Sequence, residues 1–203
     1  ALVDYDSLAN LISVDSTFIT TVGEGMGGGC DYRFPEGLHG LPLHFKLVTS
    51  ISAYTVPINK KLYITNVRGA DPEINGLKFN SYTYSNPLIL NSGDSLKSFG
   101  GTTYFGGILV ETTQEVIAVN MSVTSSLPYQ IPAGKYFYLS TIYTSNILLI
   151  NGEEFSQVGV NPAIFKSDDT LSISNGICNL NGYLVDENYF AGCGGGGSST
   201  TTS

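Results

Sequence analysis

The sequence predicts an all-β protein of two tandem jelly-roll-like or Greek-key β-sandwich modules, led by a short N-terminal arm with helical character. Three features carry that expectation. A long phrase returns at a fixed distance, apolar residues alternate in runs of strand length, and Gly, Asn, Asp and Pro cluster between those runs.

The phrase is YTVPINKKLYITNV, Tyr54 to Val67, which returns as YQIPAGKYFYLSTI from Tyr129 to Ile142, an offset of 75 residues. Pro57 falls on Pro132, Lys60 on Lys135, Tyr63 on Tyr138 and Asn86-Pro87 on Asn161-Pro162. SGDSL from Ser92 falls on SDDTL from Ser167, and GGILVE from Gly106 on NGYLVD from Asn181. INGLKF at Ile74 matches INGEEF at Ile150 with one residue of slippage. A match in constant order at a constant period marks tandem duplication. It divides the chain into an arm and Gly-rich loop (1–44), a first β-sandwich repeat (45–111), a second (112–190) and a Gly/Ser/Thr-rich tail (191–203).

Within the arm, Leu8, Leu11, Ile12, Phe18, Ile19 and Val22 recur at three- and four-residue steps, with Asp6 and Asp15 at N-cap positions. One broken helix or two short ones are expected over 1–22, with an extended arm as the alternative. Residues 23–44 read as loop from their Gly and Pro density, and the glycine run lacks the ending of a phosphate cradle. Lys61 to Val67 alternates, placing Leu62, Ile64 and Asn66 on one face and Tyr63, Thr65 and Val67 on the other. Asn75-Gly76 signals a hairpin turn, Leu88 to Leu90 a short strand, and Gly107 to Val110 the closing strand of the unit. In the second unit Glu115 to Val123 alternates, and Ile147 to Ile150 is a continuous apolar run suited to a buried strand. The tail GGGGSSTTTS, from Gly194, is linker-like, and order in it would require something packed against it.

Composition narrows the function classes. With 42% hydrophobic and 11% aromatic residues the chain can bury a core, while its 13% charged residues are about half the usual share. A net charge of −8 with nine Lys and Arg argues against nucleic acid, which demands clustered cations, and against an anionic membrane surface. No run approaches the roughly 20 apolar residues of a membrane span, so no membrane insertion is expected. Ala1 fits a cleaved signal peptide or a removed Met equally.

Cys30, Cys178 and Cys193 have no zinc spacing. Cys30 ends GEGMGGGC and Cys193 opens CGGGG, and bare glycine backbone lets segments approach closely. A Cys30–Cys193 disulfide stapling the two ends is therefore expected, with separate buried thiols or an intermolecular bridge as alternatives. His39 and His44 are the only histidines and have no nucleophile or acid placed beside them. No catalytic residue, cofactor or metal is expected. The acidic pairs Glu153-Glu154, Asp168-Asp169 and Asp186-Glu187 point to opposite strand faces and read as solvated turn acids, with calcium at Asp168 and Asp169 as the alternative. Tyr82, Tyr84 and Tyr104 offer stacking surfaces for sugar rings, although tyrosine is also an ordinary strand former.

Two resemblances follow from these motifs. Asp-Ser or Asp-Thr before an apolar or Thr residue, at Asp6, Asp15, Asp94 and Asp169, is similar to the O-glycosylation signal of secreted Bacteroidetes proteins, which implies glycans on Ser7, Ser16, Ser95 and Thr170. The same dipeptides also make turns and caps. Asn120-Met121-Ser122 fits the N-glycan sequon. The repeated phrase Y-x-[VI]-P-x-[NG]-K-x-[LF]-Y-[IL], followed by ING, NP and a closing GxLV, resembles small β-sandwich modules of Flavobacterium-type surface proteins and of phage and viral fibres, over roughly residues 45–190. The first copy departs from the P-A-G-K turn kept at Pro132 to Lys135 by having Pro57-Ile58-Asn59-Lys60.

That resemblance implies structural or adhesive work. The expected function is a non-enzymatic structural subunit, extracellular or on the cell surface, that self-assembles into a fibre or appendage through its arm or tail, with adhesion to surface glycans as an additional expectation. A virion spike or fibre protein and a secreted carbohydrate-binding module are the alternatives.

Overall fold

The computed structural model describes residues 31–48, 52–80, 86–144, 146–155 and 163–191. The expected helical arm, Cys30, Cys193, Ser7, Ser16, Tyr82, Tyr84 and the Gly/Ser/Thr tail lie outside them. Among the described residues there are fourteen strands and no α-helix, and the fold is an all-β sandwich.

The first repeat supplies β1 (Leu41–Val48), β2 (Tyr54–Thr55), β3 (Lys60–Ile74), β4 (Leu77–Lys78), β5 (Leu88–Leu90) and β6 (Ser95–Glu111). The second supplies β7 (Ile117–Val123), β8 (Tyr129–Gln130), β9 (Lys135–Thr144), β10 (Leu148–Ile150), β11 (Glu153–Phe155), β12 (Ala163–Phe165), β13 (Thr170–Ile173) and β14 (Cys178–Asp186). β1 begins at Leu41, so part of the stretch expected as loop is already strand. All pairs are antiparallel.

In the second repeat the strands form two four-stranded sheets, β12-β9-β14-β7 and β11-β10-β13-β8, on either side of one core. The first repeat makes the corresponding pairs within a single six-stranded sheet, because β3 and β6 run unbroken through both layers. Their ladder slips between Ile64 and Asn66 and again between Gly69 and Asp71. A slip of one residue exchanges the faces of everything beyond it. The alternation read from sequence therefore fails after Ile64. Val67, not Asn66, joins Leu62 and Ile64 in the core, and Asn66 and Arg68 turn outward.

The duplication extends to individual bonds. Leu62, Tyr63 and Ile64 face Leu90, Ile89 and Leu88, while Phe137, Tyr138 and Leu139 face Phe165, Ile164 and Ala163. Lys60 pairs with Glu111 and Lys135 with Asp186. Asn75-Gly76 and Asn151-Gly152 carry positive φ at both positions, 51° and 85° against 52° and 86°, as a two-residue hairpin turn requires. Each turn asparagine then clasps the next strand. Asn75 Nδ2 donates to Asp94 Oδ1 at 2.7 Å and the Ser95 N–H to Asn75 Oδ1 at 2.9 Å; Asn151, Asp169 and Thr170 repeat this at 2.8 and 2.9 Å. Gly107 and Gly182 are equivalent too: a Cβ would lie 2.4 Å from the Tyr63 carbonyl oxygen in one and 2.1 Å from that of Tyr138 in the other, so only glycine fits.

Burial falls into three clusters. One lies inside the first repeat around Leu62, Ile74, Leu96 and Leu109, and one inside the second around Phe137, Leu148, Leu171 and Leu184. The third lies between them and joins Tyr63, Ile89 and Val110 to Ala118, Tyr138, Tyr183 and Val185.

Candidate functional site

The third cluster decides which surfaces remain available. On β3, β5 and β6 the residues that point away from the first core are Tyr63, Ile89, Ile108 and Val110, and these meet the outward residues of β7, β9 and β14. Asparagines stitch the polar backbone there. Asn181 is fully buried; its Oδ1 accepts from the Ile89 N–H at 3.0 Å and its Nδ2 donates to the Ile89 carbonyl at 2.9 Å. A single amide thus caps the free edge of β5 as a neighbouring strand would. Asn91 does the same in the other direction, donating to the Ala118 carbonyl at 2.7 Å and accepting from its N–H at 3.1 Å. Asn179 reaches the Lys78 carbonyl at 2.8 Å.

Replacing Asn181 with leucine leaves the buried Ile89 N–H without a partner, at a cost of about 1–3 kcal/mol, while the Ile89 carbonyl keeps only the longer bond from Asn120 Nδ2 at 3.3 Å. A loss of about 1–3 kcal/mol in denaturant unfolding of Asn181→Leu is expected.

At the other end of the seam Glu36 enters from the segment before β1. Its carboxylate accepts from Lys61 Nζ at 2.8 Å, Tyr63 Oη at 2.9 Å and the Thr113 N–H at 2.7 Å. Both ion-pair side chains are sealed, at 0% and 2% exposure. Burial lowers the Lys61 pKa against the opposing pull of Glu36. Nearby, Tyr138 stacks on Tyr183 at 4.9 Å, and Tyr32 and Phe190 pack on Tyr138. Burial pushes Tyr63 and Tyr183 far above the usual phenol range, and Tyr138 and Tyr189 up to about 12.

What the seam leaves uncovered is the other half of the outward face of the first repeat. Here a surface cleft of about 680 Å³ runs across β1, β3 and β6. Its floor is Gly106, flanked in register by His44 on β1 and Asn66 on β3. The next row holds Tyr104, 53% exposed, between Lys46 and Arg68. Lys46 Nζ lies 5.8 Å from the Tyr104 ring centroid. Thr65 and Phe105 complete the lining, with Thr65 donating to the Gly106 carbonyl at 3.4 Å. In the second repeat the positions of His44, Gly106 and Tyr104 hold Asn120, Asn181 and Asn179, the residues that stitch the seam.

A smaller cleft of about 390 Å³ on the second repeat is lined by Ile142, Leu148, Glu154 and Phe155 among others.

Other residues singled out from sequence take mainly structural places. Asp94 and Asp169 belong to the hairpin clasps, and Ser95 and Thr170, which follow them, are half-buried strand residues donating backbone N–H groups to Asn75 and Asn151. Cys178 is a free thiol in the second core, pushed up to about 11 by burial. Among the described residues no three His, Cys, Asp or Glu side chains gather as a metal site. Sequence reasoning missed Glu36, Lys61 as a buried charge, and the cleft. The repeat held a signal for Lys61, since its counterpart one period on is Tyr136.

No family model and no curated protein matches the chain. Among solved structures it is similar to a conserved protein of unknown function, PA5104 from Pseudomonas aeruginosa PAO1. The identity is 8% and the TM-score 0.30, over 71% of this chain and 79% of that one.

Proposed function

We propose that the protein is a non-enzymatic structural subunit, extracellular or on the cell surface, that assembles with copies of itself into a fibre or appendage. One observation carries this reading. β5 and β12 are equivalent edge strands, yet among the described residues only β5 is capped. Ile89 is fully buried with its N–H and carbonyl held by Asn181, whereas Ile164 on β12 is 51% exposed. Because the register is shared, the Ile164 N–H and carbonyl point away from β9 as those of Ile89 point away from β3. Among the described residues no group meets them.

An open edge with an exposed isoleucine is a template for strand addition. Its occupant in this reading is the apolar arm of a second copy, residues 1–22. Such an exchange is heterologous, so it propagates unless its rotation closes a ring.

Multi-angle light scattering of the full chain and of a chain lacking residues 1–22 tests the reading. Assembly of the first and a monomer from the second, both with the same near-ultraviolet tyrosine circular dichroism, are expected. A full chain that is monomeric at every concentration, or assembly indifferent to the deletion, overturns it.

A further inference from the structure

We propose that the cleft over Gly106 binds a carboxylate-bearing sugar, such as a uronic acid at the end of a surface glycan. The first support is charge. The chain carries −8 overall, and Arg33, Lys60, Lys61, Lys78 and Lys135 are all engaged by acids. Lys46 and Arg68, like Lys97 and Lys166, have no salt-bridge partner among the described residues, and what sets these two apart is that both stand directly opposite the exposed Tyr104 ring. Two cations without acids, placed either side of one exposed ring, favour an anion at that spot.

The second support is shape. In the second repeat the row Asn120–Asn181–Thr141 is filled, and Asn181 grips a peptide edge with its amide. In the first repeat the same row is His44–Gly106–Asn66, and the missing side chain leaves a notch between two polar groups. A position that in the second repeat carries an amide gripping a peptide edge is here a bare Cα, bordered by the side chains of His44 and Asn66.

A sugar ring fits these parts together. Its apolar face lies on Tyr104, whose ring Lys46 steadies. Its carboxylate meets the Arg68 guanidinium through two parallel N–H bonds. Its hydroxyls reach His44 and Asn66 across the bare Cα of Gly106. Nucleic acid would need a longer cationic track than two residues. This inference goes beyond the assembly reading and does not depend on it, since a lone subunit carries the whole cleft.

Calorimetric titration of the full chain with a glucuronic-acid-terminated oligosaccharide, its glucose-terminated counterpart and a Glu-rich peptide tests the proposal. The acidic sugar is expected to bind about tenfold or more tightly than the neutral one. Arg68→Gln should weaken the acidic sugar by about ten- to a hundredfold and abolish the preference, while Tyr104→Ala weakens both sugars. Both side chains are exposed, so neither change threatens the fold, and light scattering records assembly separately. Equal binding of the two sugars, tighter binding of the peptide, no saturable binding of the acidic sugar, or a preference that survives Arg68→Gln would each overturn the assignment.

Discussion

Replacing Glu36 with alanine is expected to lower the unfolding free energy by about 3–5 kcal/mol. The reason is the stranded partner. Lys61 is fully buried, and its ammonium has Glu36 as its single acidic partner among the described residues. Without that carboxylate, Lys61 must either keep an uncompensated charge in the seam or give up its proton, and Tyr63 Oη and the Thr113 N–H lose their acceptor as well. An apolar replacement of the pair behaves differently, because the desolvation of both charges disappears with them. The double variant Glu36→Leu with Lys61→Met should therefore recover most of the loss. Chemical denaturation of the two single variants and the double gives the coupling directly. A Glu36→Ala loss below about 1 kcal/mol would mean that water reaches Lys61.

Alkaline pH should unfold the protein over a narrow range above about 10. Tyr63 and Tyr183 are fully buried, and burial raises the pKa of both. The sign follows from linkage. Below the unfolded phenol pKa of about 10 both states keep the proton and nothing changes. Above it the unfolded chain loses protons that the folded chain retains, so stability falls as pH rises. Each retained proton costs about 1.4 kcal/mol per pH unit, or about 3 kcal/mol per unit for the two. Tyr138 and Tyr189, raised to about 12, steepen the fall. Lys61 acts oppositely, because its lowered pKa makes the unfolded state the better proton binder, but only until about pH 10.4. Phenolate absorbance should then show part of the thirteen tyrosines ionising late and together with loss of the fold. Smooth titration of all thirteen near pH 10 with the fold intact would contradict the buried tyrosine seam.

The sequence made the sandwich legible through its period. Pro57, Lys60, Asn75-Gly76, Asp94 and Gly107 each recur one period on, or one residue beyond it at the turn, and the structure gives each pair the same backbone task. Periodicity alone could not show the bulge after Ile64, because an inserted residue leaves the apolar alternation looking regular on either side. That slip hid the cleft, since it alone turns Asn66 and Arg68 outward beside Tyr104. The seam was hidden for a different reason. Asn120, Asn179 and Asn181 are polar and sit on strands that read as half-exposed, yet they bury their amides against Ile89 and Lys78 from the other repeat. The positions where the copies differ, Gly106 against Asn181 and Tyr104 against Asn179, mark both features.

Electron microscopy of the native chain beside Ile164→Lys addresses the central claim, that β12 is the open counterpart of the capped β5 edge and the point of growth. Lysine on an exposed edge blocks strand addition while leaving the buried cores untouched. Regular filaments or oligomers from the native chain, and dispersed single particles of unchanged thermal stability from Ile164→Lys, are the predicted result. Single particles from both chains, or identical assemblies from both, would contradict it.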